Sequence, residues 1–272
     1  MSDRRLEGMV ALVTGAGGGE AGGIGAGIAR CLAQQGARVA VNDLNADYAA
    51  KTVQQLQAMG AEAWSVLGSV ADSAQAAGLV SGTVEHFGQL DILVNNAGVS
   101  GRSPVVRMPD EEWLRVIGVN LHGPFFTSRA AVPLMRERGF GRIINIASVA
   151  AIRISFLGGA SYTASKAGLL GLTRHLAAEV AQYGITVNAI LPGGTVTPLF
   201  KSNAPVEKMA ELVKSSPAQR LAEPEDMGRL AAFLASREAG YITGTAIPVD
   251  GAVTVLPGDF STYQANSGKE LA

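Results

Sequence analysis

The chain is poor in several things at once. It has one cysteine, Cys31, so no disulfide can form within it. Only 17% of its residues are charged and the formal net charge is −1, which offers no broad basic field for nucleic acid and no acidic tail. No apolar run approaches the ~18 residues that would cross a bilayer. The opening "MSDRRLEGMVALVTG" lacks an apolar stretch followed by a small-residue cleavage site, so a cytoplasmic protein is expected. The three histidines, His86, His122 and His175, are scattered without metal-ligand spacing, and no metal site is expected.

What the chain does have is a regular alternation. "MVALVT" (9–14), "ARVAVND" (37–43), "AEAWSVL" (61–67), "LDILVNN" (90–96), "GRIINIAS" (141–148), "GITVNAIL" (184–191) and "TAIPVD" (245–250) read as seven strands. Most lack period-2 alternation, as strands covered on both faces do. Helical patterns lie between them at 24–35, 46–59, 73–87, 110–137, 161–182 and 224–236. Such alternation predicts an α/β fold: one Rossmann-type domain over 1–272, with a doubly wound seven-stranded parallel sheet and helices on both faces. The stretch 194–222, with three prolines and room for one short helix, reads as a substrate loop, and 256–272 as a C-terminal arm.

Glycine is abundant in one place. "VTGAGGGEAGGIGAG" (13–27) holds eight glycines between the first strand and the first helix. A strand–glycine–helix unit presents free backbone N–H groups and a positive helix end to a pyrophosphate. The literal G-x-G-x-x-G at Gly17, Gly19 and Gly22 is a cheap match in so glycine-rich a segment. Asp43 closes the second strand 18 residues after Gly25, where a carboxylate can bind both hydroxyls of an adenosine ribose and repel a 2′-phosphate. NAD is therefore favoured over NADP. Asp43 also suits a turn ahead of the next helix. Arg38 precedes its strand, at the wrong end for a phosphate.

"SYTASKAG" places Tyr162 and Lys166 four apart on one helical face, where the cation is expected to favour phenolate. Ser148 ends a buried strand, and sites in parallel sheets lie at strand carboxyl ends. Together with "TG…GIG" (14–25), "NNAG" (95–98), Asn120 in "GVNLHG" and "PGGTVT" (192–197), these residues give the chain a resemblance to the classical short-chain dehydrogenase/reductase family over nearly its whole length. That resemblance implies Tyr162 as general acid/base, Lys166 on the nicotinamide ribose, and Ser148 on the substrate oxygen. It implies Asn120 kinking its helix and holding a relay water. Gly15, Gly19, Gly23 and Ile24 would cradle the pyrophosphate. Asn96, Ala97 and Gly98 would flank the adenosine ribose. Pro192, Gly193, Thr195 and Thr197 would meet the nicotinamide. The implied activity is the interconversion of a secondary alcohol and a ketone with NAD, in a homotetramer or homodimer.

Three departures from the family pattern stand out. Gly15 to Gly23 encloses seven residues where the family has three, and the four extra ones can be placed in more than one way. Ser69-Val70 stands where an Asp-Val pair would meet adenine. The gap from Ser148 to Tyr162 is one residue longer than the family pattern. Ile152, Ile154, Phe156, Leu157, Leu199, Phe200 and Met209 suggest a mainly apolar, medium-sized substrate, or serve only to pack the loops. Arg153 could meet a carboxylate or stand in solvent. An NADPH-dependent 3-oxoacyl-thioester reductase and a non-catalytic NAD-binding regulator are the competing functions.

Overall fold

Seven short apolar runs become seven parallel strands: β1 (Val10–Val13), β2 (Arg38–Asp43), β3 (Ala63–Leu67), β4 (Ile92–Asn95), β5 (Gly141–Ile146), β6 (Ile185–Pro192) and β7 (Ala246–Val249). They form one sheet in the order β3-β2-β1-β4-β5-β6-β7. The computed structural model describes residues 4–18, 22–154, 158–197, 206–256, 258, 260, 262 and 263. The helices between the strands are α1 (Ile24–Gln34), α2 (Ala46–Ala58), α3 (Ser73–Phe87), α4 (Asp110–Ile117), α5 (Gly123–Glu137), α6 (Ala160–Val180), α7 (Val206–Ser215) and α8 (Pro224–Ala235).

The strands lack visible alternation because both faces are covered. Val10 and Leu12 of β1 pack into one core and Ala11 and Val13 into the other, yet all four are fully buried. Leu93 and Ile143 join the first core, while Ile92, Val94, Ile144 and Ile146 join the second. Each such side chain withdraws enough apolar surface to contribute ~1.5–3 kcal/mol. On the second face α1 crosses α8 closely: a Cβ on Gly27 would lie 2.5 Å from Pro224, and one on Gly228 would lie 2.6 Å from the Cys31 sulfur. Cys31 therefore packs as a small buried hydrophobe, its thiol pushed up first by burial and then by Glu225.

Chain order reverses between β1 and β4, because β2 and β3 build outward on one side and β5 to β7 on the other. A crevice opens at the carboxyl ends of such strands. Beneath it lies a buried polar ladder. Asn95 donates to Asn145 (2.9 Å) and to Ser128 (3.2 Å) and accepts from Thr127 (2.6 Å), and Asn145 donates to Thr173 (2.9 Å). These bonds fix α5 and α6 against β4 and β5, and so set the height of the side chains that enter the crevice.

The helical pattern read over 110–137 is not one helix. It widens at Gly118–His122 into a single π-helical turn between α4 and α5. Apolar periodicity continues through such a turn, so the sequence pattern does not register it. Among its described residues the region 194–222 holds a short helix, α7. No described helix is long and apolar enough to cross a membrane.

Candidate active site

The crevice holds a cavity of about 530 Å³ that runs from the glycine loop to the turn after β5. Its first wall is the start of α1. Gly23 is the N-cap, no side chain caps the helix, and its first turn carries no acid. The orphan N–H groups and positive dipole end are thus left for a ligand anion. Gly23 and Ile24 line the cavity, as does Gly15. Gly25 lets the helix press on the loop: a Cβ there would lie 2.5 Å from the Asn96 amide and 2.6 Å from the Gly15 carbonyl.

The structure locates the extra residues. Gly18 (φ 66°) stands against Gly23, whose Cβ position would lie 3.5 Å from the Gly18 Cα, and a Cβ on Gly18 would collide with the Gly23 amide nitrogen. Gly15, Gly18 and Gly23 all line the chamber or its rim. Ala16, Gly17 and Gly18 then fill the three places the family has between its glycines, which leaves 19–22 as the four extra residues, and the flanking Gly18 and Gly23 lie in contact. Gly19 and Glu20 lie outside the described residues. Deleting Gly19–Gly22 joins two residues that already meet. The variant is expected to unfold within a few degrees of the parent and to bind NADH within about threefold, by melting curves and fluorescence titration, since the residues to be joined already lie in contact. Loss of binding would place the extra residues in the cradle itself.

The adenosine end is built around two neighbours at the end of β2. Asp43 accepts from the Gly17 amide through Oδ2 and from the Asn45 amide through Oδ1, both at 3.0 Å. It is thus both the turn residue and a cavity-lining carboxylate. Asn42 was not singled out from the sequence. Its Nδ2 donates to the carbonyls of Val66 (3.1 Å) and Gly68 (3.0 Å), and its Oδ1 accepts from Gly15 at 3.4 Å. One side chain of β2 so ties the loop after β1 to the end of β3 and the loop that follows it. The only signal for it was a polar residue inside an apolar strand. Ser69 lines the cavity, while its hydroxyl accepts from Ala71 and its amide donates to Gln75. Val70 is buried and packs where a Cβ on Gly123 would lie 2.8 Å away. Arg38 donates to the Phe87 carbonyl, away from the cavity.

Thr14 organises the next segment. Its hydroxyl accepts from the amides of Asn96 (3.0 Å) and Ala97 (3.1 Å), and Asn96 returns two bonds to the carbonyls of Thr14 and Gly15 at 2.9 Å. Asn96, Ala97 and Gly98 are thereby pinned along the cavity wall.

The candidate catalytic residues converge beyond Gly98. Ser148 leaves β5 in extended conformation, and its hydroxyl accepts from Ala150 at 3.1 Å. It lines the cavity together with Tyr162, and its hydroxyl is the polar influence on that phenol. Lys166, one turn along α6, is buried and donates to the Ile146 carbonyl at 2.7 Å. Asn120, fully buried in the π-turn, accepts from the Val99 amide and donates to the Val99 carbonyl (both 2.9 Å) and to Ser165 (3.1 Å). A Cβ on Gly98 would lie 3.5 Å from the Asn120 oxygen and 3.6 Å from the Lys166 nitrogen, so the two groups share one corner. Asn120 sits in a π-helical turn, where the family resemblance implied a kink. Both its amide hydrogens are spent, so any proton relay there needs the backbone.

One electrostatic expectation is corrected. The Tyr162 phenol is raised rather than lowered, with burial the dominant influence, and the Ser148 hydroxyl pulls it part of the way back. The ammonium faces the Ile146 carbonyl, 5.7 Å from the tyrosine ring centre, and burial holds Lys166 itself down to about 8. Four residues of sequence placed the two on one face but carried no information about their desolvation.

The far wall comes from the end of β6. Pro192, Gly193, Thr195 and Thr197 line the cavity. Gly193 donates to Val249 at 3.0 Å, and Thr195 turns its hydroxyl to the Gly193 carbonyl at 3.2 Å. Of the expected substrate-side residues, Ile154 and Arg153 line the cavity and Ile152 does not; Leu212 of α7 was not foreseen. Phe156, Leu157, Leu199, Phe200 and the side chain of Met209 lie outside the described residues.

The arrangement joins an anion-binding helix end, a ribose-facing carboxylate and a serine–tyrosine pair in one crevice, and the likeness to known proteins agrees with it. The family model described as enoyl-(acyl carrier protein) reductase matches residues 18–254. An oxidoreductase of Thermotoga maritima is 39% identical over 256 residues, covering 92% of this chain and 99% of that one. The 3-oxoacyl-[acyl-carrier-protein] reductase FabG of Staphylococcus aureus is 39% identical over 242 residues, covering 89% and 96%. A gluconate 5-dehydrogenase from Burkholderia cenocepacia, solved with NADP and tartrate, superposes with a TM-score of 0.86 at 34% identity, covering 94% and 98%. By its fold, its crevice and these relatives, the chain belongs to the classical short-chain dehydrogenase/reductase family of oxidoreductases.

Proposed function

We propose that the protein is an NAD(H)-dependent oxidoreductase that interconverts a secondary alcohol and a ketone, working as a homotetramer or homodimer in the cytoplasm. The observation that carries this reading is that Ser148, Tyr162 and Lys166 line the same cavity as the uncapped start of α1 and the Asp43 carboxylate. The residues fit a dinucleotide. The N–H groups of α1 would take the pyrophosphate, Asp43 the adenosine ribose, Lys166 the nicotinamide ribose, and the Pro192–Thr197 segment the nicotinamide. The bound nicotinamide supplies the hydride chemistry.

The rest is the work of the chain. Ser148 holds the substrate oxygen beside the Tyr162 phenol. In oxidation the Tyr162 phenolate takes the hydroxyl proton; in reduction the phenol returns a proton to the carbonyl oxygen. Lys166 and the Asn120 turn connect that proton to the outside. Val149, Ile154 and Leu212 give the reacting end an apolar lining.

The likeness to FabG favours a second reading, a 3-oxoacyl-thioester reductase using NADPH. One assay separates the two. A panel of secondary alcohols and 3-oxoacyl thioesters is run with NAD(H) and NADP(H) side by side and followed by nicotinamide absorbance. Alcohol oxidation is expected with NAD at ~10-fold or greater preference over NADP, the scale of one lost charge-assisted contact. Thioester reduction with NADPH alone would establish the second reading.

A further inference from the structure

The charges facing the cavity are few. Among the described residues that line it, Asp43, Lys166 and Arg153 are the ionised ones. Asp43 stands at the adenosine end and already accepts two backbone bonds. Lys166 is buried and committed to the Ile146 carbonyl. That leaves Arg153 as the charge at the substrate end.

Its position follows from the turn after β5. The residues after Ser148 form one short turn, Val149–Ala151, and the Arg153 amide donates to the Val149 carbonyl at 3.1 Å. Arg153 therefore stands one turn beyond the serine that faces the reacting oxygen. Its guanidinium makes one long bond, Nη1 to the Val253 carbonyl at 3.5 Å. Among the described residues no carboxylate is paired with it. The acid of the Val253 turn, Asp250, caps its own chain by accepting from Ala252 (3.0 Å) and Thr254 (2.8 Å). Beside it, Ile154 is 69% exposed, an apolar surface with nothing described upon it.

We propose that Arg153 determines specificity by binding a carboxylate on the substrate, so that the preferred substrates are secondary hydroxy acids and the matching oxo acids. This rests on the alcohol/ketone reading above. The guanidinium fork accepts a carboxylate through two parallel bonds, and Ile154 covers the carbon chain between carboxylate and carbinol. A substrate of this kind is apolar along its body and anionic at one end. The cavity is likewise apolar at Val149, Ile154 and Leu212 and cationic at Arg153.

The test uses hydroxyhexanoates with the hydroxyl at the third, fourth or fifth carbon, and the carboxamide of each. The quantity read is the ratio of kcat/KM for acid over amide. In the parent enzyme at least one position should give a ratio of about ten to a hundred, the worth of a hydrogen-bonded charge pair. Arg153→Met should bring that ratio to about one, and Arg153→Lys should keep part of it, since an ammonium keeps the charge and loses the fork. A parent ratio near one at every position, or an equal ratio in Arg153→Met, overturns the proposal. Calorimetric titration of the same acids and amides into NADH-saturated protein reads binding without turnover. If no alcohol is oxidised, the alcohol/ketone reading fails. Acid-selective binding lost in Arg153→Met would still support the arginine's role, and equal binding of acid and amide would still overturn it.

Discussion

Replacing Tyr162 with phenylalanine is expected to lower kcat by about a hundredfold to ten-thousandfold, the share that a positioned acid or base supplies. NADH affinity is expected to stay within about threefold, because the ring is kept and only its hydroxyl is lost. The ring is held by its surroundings: a Cβ on Gly158 would lie 2.7 Å from it, so phenylalanine fits the same slot. Stopped-flow turnover and NADH fluorescence titration read the two quantities separately. Turnover within tenfold of the parent would remove Tyr162 from the proton path. The pH dependence has a definite sign. Oxidation needs the phenolate, so its rate should rise with pH, and reduction should fall over the same interval. Burial places that interval high, and the Ser148 hydroxyl is the influence that lowers it. Ser148→Ala should therefore move the rising limb of oxidation to higher pH as well as weaken substrate binding. An unmoved limb would mean that the serine does not tune the phenol.

The division between what the sequence could and could not reveal has physical causes. The strands were legible because strands buried on both faces are written as mainly apolar runs without period-2 alternation, and β1, β5 and β6 are buried throughout. Gly88 (φ 82°) and Gly184 (φ 72°) were legible as ends of helical segments, since few other residues take that backbone. The glycine loop was legible as a cradle but not in its register. Eight glycines allow several alignments, and the contact of Gly18 with Gly23 that selects one is tertiary. Asn42 escaped notice for a similar reason: its three bonds reach the loop after β1 and the end of β3, both far away in sequence. The π-turn at Asn120 escaped because the side-chain bonds that hold it, to Val99 and Ser165, come from other elements. Spacing put Tyr162 and Lys166 together, while the degree of burial that sets their proton affinities depends on the whole crevice.

Asp43→Asn is expected to shift the ratio of kcat/KM for NAD over NADP by about a hundredfold or more towards NADP, from two contributions of roughly equal size. The first is loss of charge-assisted acceptance. A carboxylate has about four lone-pair sites. Gly17 and Asn45 use one on each oxygen, which leaves one on each to face a vicinal diol. An amide presents only one oxygen, so one of the two backbone amides or one ribose hydroxyl loses its partner. The second is loss of like-charge repulsion against a 2′-phosphate, which the half-buried position of Asp43 leaves weakly screened. Leu44, three-quarters exposed at the cavity rim, offers the complementary change. Adding Leu44→Arg to Asp43→Asn sets a cation where the 2′-phosphate would lie and should carry the preference past unity to NADP. The substituted side chain also anchors the glycine loop through Gly17, so NADH binding should weaken along with NAD turnover. A structural collapse of the loop would weaken both cofactors alike, whereas removal of a discriminating charge must move them in opposite directions. The burkholderial gluconate 5-dehydrogenase, solved with NADP, shows that this fold accommodates the phosphorylated cofactor. Measuring all four kcat/KM values, two cofactors for parent and variant, therefore decides whether Asp43 is the residue that selects between them here.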